Sequence, residues 1–309
     1  MDLLLHQLRA TAEPTRLRLL ALCARGALCV TDLCAVLGQS QPRLSRHLKL
    51  LVEAGLLARI PEGANAYFAL PPGADLARLI LARLPEDDPL LAADRRAAAR
   101  IAAERARSAS DAFQRDGMDW DEVRALGLPA DAIEQALLAA LPDRLPTLLD
   151  IGTGTGRMLE LAEAKAARGL GVDASRDMLA LARARLAERG LADRFQVRQA
   201  DMYRLPFADG AFAAVMLQMV LHYAEDPAAA LAEASRVLDP DGVLLLADLA
   251  PHGRADLMAR HAHRWPGFDD AAIAGWFGAA GCSVTPIATI AGPLAVRIWA
   301  ARRSPALVA

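Results

Sequence analysis

Residues 148–156 read Leu-Leu-Asp-Ile-Gly-Thr-Gly-Thr-Gly, and Gly171-Val172-Asp173 follows within one helix's length. The pattern predicts a strand, a tight glycine turn, a helix over 157–167 and a second strand that ends in a carboxylate. The glycines leave room for a ligand beside the backbone because they carry no Cβ atom. The N-terminal amides of the helix would face a ligand carboxylate, and Asp173 would accept the hydroxyls of a ribose.

The spacing of the glycines distinguishes two kinds of nucleotide ligand. The dinucleotide fingerprint G-x-G-x-x-G would place its third glycine at Arg157, whereas this chain has G-x-G-x-G preceded by Asp150. That loop resembles the cofactor loop of class I S-adenosylmethionine (SAM)-dependent methyltransferases. Residues 198–202, 212–218 and 236–246 resemble the family's third strand, its fourth strand, and the helix, turn and fifth strand after it.

The resemblance covers roughly residues 118–300 and implies a Rossmann-like, doubly wound α/β fold with a seven-stranded sheet. It implies SAM or S-adenosylhomocysteine (SAH) as the ligand, with Asp201 contacting the adenine amino group and Met202 flanking the ring. A doubly wound fold that has lost its ligand is the alternative, but acids at three strand ends serve no packing purpose. The residues expected to bind the cofactor are Asp150, Gly152, Thr153, Gly154, Gly156, Asp173, Ala174, Asp201, Met202 and Gln218.

Composition predicts two domains in an ordinary cytoplasmic protein. The chain has 309 residues, of which 54% are apolar, and it contains no stretch of eighteen uncharged apolar residues. The N-terminus lacks the basic region and long apolar stretch of a signal peptide. The four cysteines form no C-x-x-C pair, which suits a reducing compartment.

The first eighty residues predict a winged helix. Apolar spacing indicates helices over 3–10, 13–24, 30–37 and 41–54, and two strands over 56–60 and 65–70 bracket a hairpin turn. Ser40 is expected to cap the fourth helix, whose polar front would follow a tight turn at Gly38. Residues 1–84 carry ten Arg or Lys against six Asp or Glu, whereas the remainder carries 25 against 31. The basic N-terminal segment 1–84, called the head below, is therefore expected to bind a polyanion.

Two segments of the head, 13–20 and 40–56, are similar to ArsR-type transcriptional repressors. The resemblance spans residues 1–72 and implies a dimer that binds a palindromic operator in double-stranded DNA. Arg43 or Arg46 would suit a guanine and Gln41 an adenine, while Lys49 and Arg59 suit phosphates. A solvated helix face is the alternative. The residues expected to contact DNA are Ser40, Gln41, Arg43, Ser45, Arg46, His47, Lys49 and Arg59.

The dimer surfaces would be Leu3, Leu4, Leu8 and the helix over 74–84, although packing within one chain explains these leucines nearly as well. A metal sensor is not expected. Many relatives carry two cysteines one residue apart at the start of the third helix, where this chain has Cys29-Val30-Thr31. Cys34 lies five residues after Cys29, on a different face of the helix. Metal or thiol sensing is the less favoured alternative.

A polar, proline-bounded break over 85–89 separates the head, residues 1–84, from the rest of the chain. Residues 85–117 are predicted to form a linker that contains a long Ala/Arg-rich helix over 92–115. A spacer role is favoured for this helix over one that rigidly transmits the position of the second domain to the head. The methyltransferase-like domain comprises residues 118–309. Trp120 would lie over the cofactor as a lid residue or simply pack.

Methyl transfer needs an aligned nucleophile, so a general base is optional. His222 and Tyr223, just after the fourth strand, and His252, after the fifth, are catalytic candidates. Asp248, His261 and His263, also after the fifth strand, are further candidate bases. The residues after the fourth strand lack the Asp-Pro-Pro-Tyr motif of amino-directed DNA methyltransferases. The sequence predicts a transcriptional regulator whose operator binding is modulated by SAM or SAH. The alternative is an active methyltransferase of a small organic acceptor whose head controls its own operon.

Overall fold

The computed structural model describes residues 1–62, 65–71, 73–85, 87–115, 126–254 and 263–304. The chain forms two compact units. One comprises Met1–Ser108 and Arg183–Arg198, and the other comprises Ala109–Ala182 and Gln199–Ala309. Trp120, for which the sequence left a lid role and simple packing as alternatives, and His261 lie outside the described residues.

The head is a winged helix-turn-helix. Its helices are α1 (Asp2–Thr11), α2 (Pro14–Cys23), α3 (Val30–Leu37), α4 (Gln41–Glu53) and α5 (Asp75–Leu81). Its antiparallel sheet has the order β1-β3-β2, with β1 at Leu28–Cys29, β2 at Ala58–Glu62 and β3 at Asn65–Ala69. The strands β2 and β3 form the wing.

Local chemistry explains where these helices begin and end. The Glu13 side chain caps α2 by accepting a hydrogen bond from the Arg16 amide at 2.8 Å. Gly38 ends α3 with φ 62°, a left-handed conformation that glycine adopts without strain. Ser40 occupies the N-cap position of α4, but its side chain makes no capping hydrogen bond. Leu44, Leu48 and Leu51 form the buried side of α4, as their spacing predicts.

The long helix α6 (Pro89–Arg115) is attached to the head. Arg18 donates two hydrogen bonds to Asp94, each 2.7 Å long, and Arg105 pairs with Asp32 at 2.6 Å. Ala98 packs against the head core between these two ion pairs. Over residues 89–108 the helix therefore belongs to the same compact unit as the head.

Replacing Arg18 with methionine should lower the free energy of unfolding by about 2 kcal/mol, because it leaves the buried Asp94 carboxylate without its partner. Chemical denaturation monitored by circular dichroism measures this change. Arg78→Met, which removes the exposed Arg78–Asp75 pair, is the control and should cost less than about 0.5 kcal/mol. Equal losses in the two variants would contradict a structural role for the Arg18–Asp94 pair.

The second part of the fold is a seven-stranded sheet with the order β6-β5-β4-β7-β8-β10-β9. The strands are β4 (Leu145–Ile151), β5 (Ala166–Asp173), β6 (Phe195–Gln199), β7 (Phe212–Gln218), β8 (Leu238–Leu249), β9 (Cys282–Ile290) and β10 (Val296–Arg303). Pairs β4–β5, β4–β7 and β7–β8 are parallel, whereas β10 runs antiparallel to both of its neighbours. This is the class I methyltransferase fold with its doubly wound sheet.

The helices that accompany this sheet are α7 (Ala130–Ala140), α8 (Arg157–Leu161), α9 (Arg176–Glu188), α10 (Pro227–Val237) and α11 (Asp270–Ala279). The helix predicted over 157–167 is too long. It gives way to a 3-10 turn at Ala162–Ala164, and β5 begins at Ala166 because that residue already pairs with Leu145 of β4. The tertiary pairing overrides the helical tendency of this alanine-rich stretch.

Within the described part of the chain, no helix has the length and apolar character needed to cross a bilayer. The same described residues contain no group of three or more His, Cys, Asp or Glu side chains arranged to hold a metal ion.

Candidate functional site

The glycine turn after β4 has one side packed and one side open. Gly152, Gly154 and Gly156 all have positive φ angles, at 71°, 51° and 73°. A Cβ atom on Gly152 would lie 2.3 Å from Val220, and one on Gly156 would lie 3.1 Å from Ala182. A Cβ atom on Gly154 would meet nothing within 4 Å. The first and third glycines thus serve packing, while the second leaves its side of the loop clear for a ligand.

Asp150 lies beneath this turn, almost completely buried. Its Oδ2 accepts a hydrogen bond of 2.6 Å from the Thr153 hydroxyl. Burial raises the pKa of Asp150 to about 7, and the nearby Asp173 carboxylate adds to the effect. Thr153 is itself packed against Gly171, where a Cβ atom would come within 2.6 Å of the Thr153 hydroxyl oxygen. The site therefore holds a carboxyl group whose charge is disfavoured until a cation approaches it.

Asp173, at the carboxyl end of β5, fixes the glycine turn. Its Oδ2 accepts the Gly154 amide at 2.9 Å and its Oδ1 accepts the Ser175 amide at 2.8 Å. Burial raises the pKa of this carboxyl group despite those two bonds. Each carboxylate oxygen can accept more than one hydrogen bond, so ribose hydroxyls have acceptors here.

Asp201 and Met202 follow β6, which ends earlier than the strand predicted over 198–202. Asp201 is exposed and accepts the Tyr203 amide at 3.0 Å, while Met202 packs partly against the core. The exposed Ala174 follows β5, and its carbonyl accepts a hydrogen bond from the Gln199 side chain at 2.8 Å. These residues lie at the same edge of the sheet as the glycine turn, because β4, β5 and β6 are neighbours.

Gln218 and Met219 mark the carboxyl end of β7. Among the described residues, the Gln218 Oε1 atom is buried and has no hydrogen-bond partner. Met219 has φ 52°, the one positive value that the described residues show outside glycine. A buried acceptor without a partner and a strained backbone are both features of ligand sites. The end of β7 thus offers a polar contact to a ligand held against the glycine turn.

A buried His–Asp pair joins the turn after β7 to strand β8. His222 Nδ1 is 2.7 Å from Asp248 Oδ1, and both side chains are fully buried. Asp248 also accepts the amides of Leu221 at 2.9 Å, His222 at 3.3 Å and Leu249 at 2.8 Å. The carboxylate is therefore satisfied by groups from the turn after β7 and from β8. Asp248 was expected only as a candidate base, and its role as an anchor of this turn was missed.

The segment 263–268 covers His222. The amides of Arg264 and Trp265 both donate to the His222 carbonyl, and the His263 ring centroid lies 4.4 Å from that of His222. His222 is thus enclosed in this conformation, whereas the adjacent Tyr223 is exposed. His252 is farther along the chain, where its amide donates to the Pro266 carbonyl at 2.9 Å. The catalytic candidates therefore differ in access, and Tyr223 is the more open of the two neighbours.

The residues that the sequence predicts to contact DNA lie mainly on the exposed sides of α4. Ser40, Gln41, Arg43, Ser45, Arg46 and Lys49 are exposed there, as is Arg59 on the wing. His47 differs from this set. Its side chain is largely buried, and its Nδ1 atom lies 3.6 Å from Glu13 Oε2 of α2. The structure places His47 against the scaffold of the head rather than on the outer face of α4.

The cysteine at the start of α3 belongs to a polar cluster that the sequence did not reveal. The buried Cys29 thiol donates to Asp32 at 3.2 Å, and Arg105 of α6 reaches the same sulfur at 3.4 Å. Arg105 also donates to the Tyr67 hydroxyl at 3.4 Å. Cys34 is only partly buried, and burial raises the pKa of its thiol. Because Cys29 and Arg105 are 76 positions apart, no local spacing indicated this cluster.

Comparison with known proteins finds matches to both the head and the domain that contains the seven-stranded sheet. Residues 13–59 match the model of the bacterial regulatory protein arsR family, and residues 149–246 match the model of a methyltransferase domain. The arsenical resistance operon repressor of Escherichia coli K12 is 48% identical over 62 residues, which are 20% of this chain and 53% of the repressor. The demethylmenaquinone methyltransferase of Thermus thermophilus is 38% identical over 119 residues, 38% of this chain and 53% of the enzyme. This chain thus spans about half the length of each relative.

Solved structures agree on the fold. A complex of the Trm112 methyltransferase activator and a methyltransferase from Haloferax volcanii matches with a TM-score of 0.50 and 23% identity, covering 56% of this chain and 88% of the other. The cyclase SpnF matches with the same score and identity, covering 56% and 80%. Because the second of these proteins is named a cyclase, this fold alone does not fix a reaction.

Proposed function

Because the chain joins an ArsR-type winged helix-turn-helix domain to a class I SAM-dependent methyltransferase domain, we propose that it is a transcriptional regulator whose operator affinity responds to bound SAM or SAH. The proposed domains are residues 1–84 for DNA binding, 85–117 for the connection and 118–309 for the ligand. The observation that carries the proposal is the attachment of α6 to the head through Arg18–Asp94 and Arg105–Asp32.

The ligand half of the proposal depends on residues at the sheet edge. SAM would supply a methyl group on a sulfonium centre when bound. Gly154 leaves open space for the ligand, Asp173 offers acceptors to the ribose, and the buried Gln218 oxygen offers another acceptor. Asp150 would favour a cationic ligand through its charge. Asp201 and Met202 would contact the adenine, with Gly152, Thr153, Gly156 and Ala174 shaping the loop beside it.

The regulatory half depends on α6. Asp94 and Arg105 are eleven residues apart, about three helical turns, so the helix is pinned to the head at two separated points. Arg105 contacts Asp32 of α3 and Tyr67 of the wing strand β3. A shift of α6 would therefore act on both elements that frame α4. A ligand changes operator affinity only if it binds one arrangement more tightly than the other.

Calorimetric titration with SAM and with SAH, followed by DNA binding in each state, tests the proposal. We expect SAM or SAH to change the affinity for a selected operator by about 5-fold to 150-fold, the usual range of allosteric coupling. Arg105→Gln should bind the ligands normally but lose that change, because it disconnects α6 from α3. Unchanged operator affinity at saturating SAM and SAH would exclude the regulatory role.

We also propose that the protein is a homodimer. Leu4 and Leu8 of α1 are separated by one helical turn and are 50% and 44% exposed, and Leu79 of α5 is 64% exposed. Large apolar side chains grouped on a helix of a soluble domain are typical of an interface. The symmetry of a dimer would suit a palindromic operator.

The double substitution Leu4→Glu and Leu8→Glu should convert the dimer to a monomer, because burying two carboxylates at the interface costs several kcal/mol. Sedimentation velocity at micromolar concentration measures the change. Leu90→Glu alters a similarly exposed leucine on α6 and is the control. A dimer that survives the double substitution would place the interface elsewhere.

A second function is an active methyltransferase that acts on a small organic acceptor. The exposed Tyr223 and the enclosed His222–Asp248 pair lie at the carboxyl ends of β7 and β8, where this fold places its ligands. Because the pair is buried, His222 would act by holding the turn that carries Gln218 and Tyr223. A broad screen of acceptors with labelled SAM tests this function, and no turnover with any acceptor class would argue for a sensor without catalysis.

A further inference from the structure

The end of the wing strand β2 is buried against an arginine from α9. Glu62, the last residue of β2, pairs with Asn65 of β3 and is only 3% exposed. Arg183 donates hydrogen bonds to both oxygens of the Glu62 carboxylate, at 2.5 and 3.3 Å. The compact unit that contains the head also contains Arg183–Arg198, so this ion pair lies within one unit. A carboxylate buried this deeply needs such a partner to remain charged.

Arg183 also contacts the second strand of the wing. Its guanidinium carbon lies 3.9 Å from the centroid of the buried Tyr67 ring on β3, which is the geometry of a cation–π contact. Arg105 of α6 donates to the hydroxyl oxygen of the same ring at 3.4 Å. Arginines from two helices therefore fix one tyrosine, and Arg183 holds both strands of the wing. The name wing latch is used below for Glu62, Tyr67 and Arg183.

The helix that carries Arg183 begins at the candidate ligand site. Asp173, the expected ribose acceptor, accepts the amide of Ser175, the residue before α9, at 2.8 Å. Farther along α9, Ala182 packs so closely against the glycine turn that a Cβ atom on Gly156 would lie 3.1 Å from it. The residue after Ala182 is Arg183. A ligand on the glycine turn would therefore act on α9 at two points, and one of them adjoins the wing latch.

The wing latch also determines which side chain the wing presents to its surroundings. Side chains alternate between the two faces of a strand, so Arg59 and Glu62 lie on opposite faces of β2. Arg59 is exposed, whereas Glu62 is buried against Arg183. Release of the latch would expose an unpaired carboxylate on the same strand as Arg59. That charge would cancel part of the positive potential that attracts DNA.

We infer that Arg183 connects the ligand site to the wing. Its pair with Glu62 holds the wing in the form that binds DNA, and a ligand on the glycine turn changes the strength of that pair by moving α9. Arg183 lies about 12 Å along the helix from Ser175, on one continuous run of helical hydrogen bonds. This inference rests on the proposed regulatory function. It adds a second contact, besides those of α6, through which SAM or SAH acts on the head.

The first test measures DNA affinity of the full chain by fluorescence anisotropy, with a duplex selected from a random pool by the wild-type protein. Arg183→Met should bind this duplex at least about fivefold more weakly without ligand, because it leaves Glu62 charged and unpaired. Saturating SAM or SAH should no longer change the DNA affinity, although calorimetry should still detect the binding of both. Arg189→Met removes an exposed cation just after the same helix and is the control. Its DNA affinity and its response should match those of the wild type.

A double variant separates the connection from the stability of the head. Arg183→Met alone leaves a buried charge without its partner and should lower the melting temperature. Adding Glu62→Gln makes both side chains neutral, so the double variant should regain the melting temperature and the ligand-free DNA affinity. Its response to SAM should remain absent, because no ion pair joins α9 to the wing. A purely structural role for the pair would instead return the response together with the stability.

Amide hydrogen exchange measures the connection without DNA. Saturating SAM should change the exchange rates of the β2 and β3 amides in the wild type by at least about threefold, because the latch controls local opening of the wing. The same ligand should leave these rates unchanged in Arg183→Met and in the double variant. Arg189→Met should respond as the wild type does.

Three results would overturn the inference. A response of DNA affinity to SAM that persists in Arg183→Met would show that the ligand acts by another route, and the regulatory function would stand. Return of the response in the double variant would reduce Arg183 to a structural role. Wild-type exchange rates in the wing that ignore both SAM and SAH would exclude the connection itself. If instead these rates responded through Arg183 while wild-type DNA affinity did not, the connection would stand and the regulatory function would fail.

Discussion

Replacing Gly154 with alanine should reduce the affinity for SAM by at least about a hundredfold while leaving the protein folded. The Cβ atom of the new residue would project into the open side of the glycine turn, where no protein atom lies within 4 Å. The loss would therefore come from the space that a ligand needs. The left-handed backbone at φ 51° adds a strain of roughly 1 kcal/mol to the folded state.

Gly190 provides a matched control for that strain. It has φ 69°, also meets nothing within 4 Å, and follows the C-terminal end of α9. Gly190→Ala should lower the melting temperature by about as much as Gly154→Ala, and calorimetry should find its SAM affinity unchanged. If the two variants bound SAM equally well, the ligand would not lie against Gly154.

Substituting Asp150 with asparagine should change how stability depends on pH. Burial raises the pKa of the folded Asp150 to about 7, above its ordinary value of 3.8. The folded protein therefore binds one proton more than the unfolded chain between those values, and its stability falls as pH rises from about 4 to about 7. The free energy of unfolding at pH 8 is therefore lower than at pH 4 by on the order of 4 kcal/mol from this group. An asparagine side chain at this position would remain uncharged and would escape this loss.

Thermal unfolding from pH 4 to pH 8 without ligand measures the effect. The variant should match the wild type near pH 4 and exceed it at pH 8. Asp143→Asn, which removes an exposed carboxylate paired with Lys165, is the control for a lost negative charge.

The affinity for SAM should change with pH in the opposite direction to the stability. Because SAM carries positive charge, wild-type affinity should increase with pH up to about 7, and the variant should bind at least tenfold more weakly. Identical pH profiles of variant and wild type would contradict a buried, proton-binding Asp150.

The elements that the sequence predicted well depend on local patterns. The glycine spacing at 152–156 predicts the turn, and Asp173 lies at the carboxyl end of the following strand β5, as its position in the sequence predicts. The helix over 30–37 has its predicted bounds, since Gly38 stops it. The strand over 212–218 also has its predicted bounds, because an uninterrupted apolar run suits a buried parallel strand.

The contacts that the sequence did not predict join residues far apart along the chain. Arg18 and Asp94 are 76 positions apart, as are Cys29 and Arg105, so neither pair leaves a periodic signal. His222 and Asp248 were both recognised as candidates, but their 2.7 Å contact follows from the adjacency of β7 and β8. The inward turn of His47 toward Glu13 likewise depends on how α2 crosses α4. Local spacing predicts on which face of a helix a residue lies, whereas only the tertiary structure shows which residues that face contacts.

The hydrogen bond from the Gly154 amide to Asp173 has a consequence for how fast a ligand is captured. It holds the glycine turn in its shape through contacts within the protein alone. The ordering entropy of the loop is therefore lost during folding rather than at the moment of encounter. A nucleoside ligand meets a preorganised surface, and its association rate should follow collision and dehydration rather than loop rearrangement. Stopped-flow traces of SAM binding should accordingly show one phase whose rate rises linearly with SAM concentration.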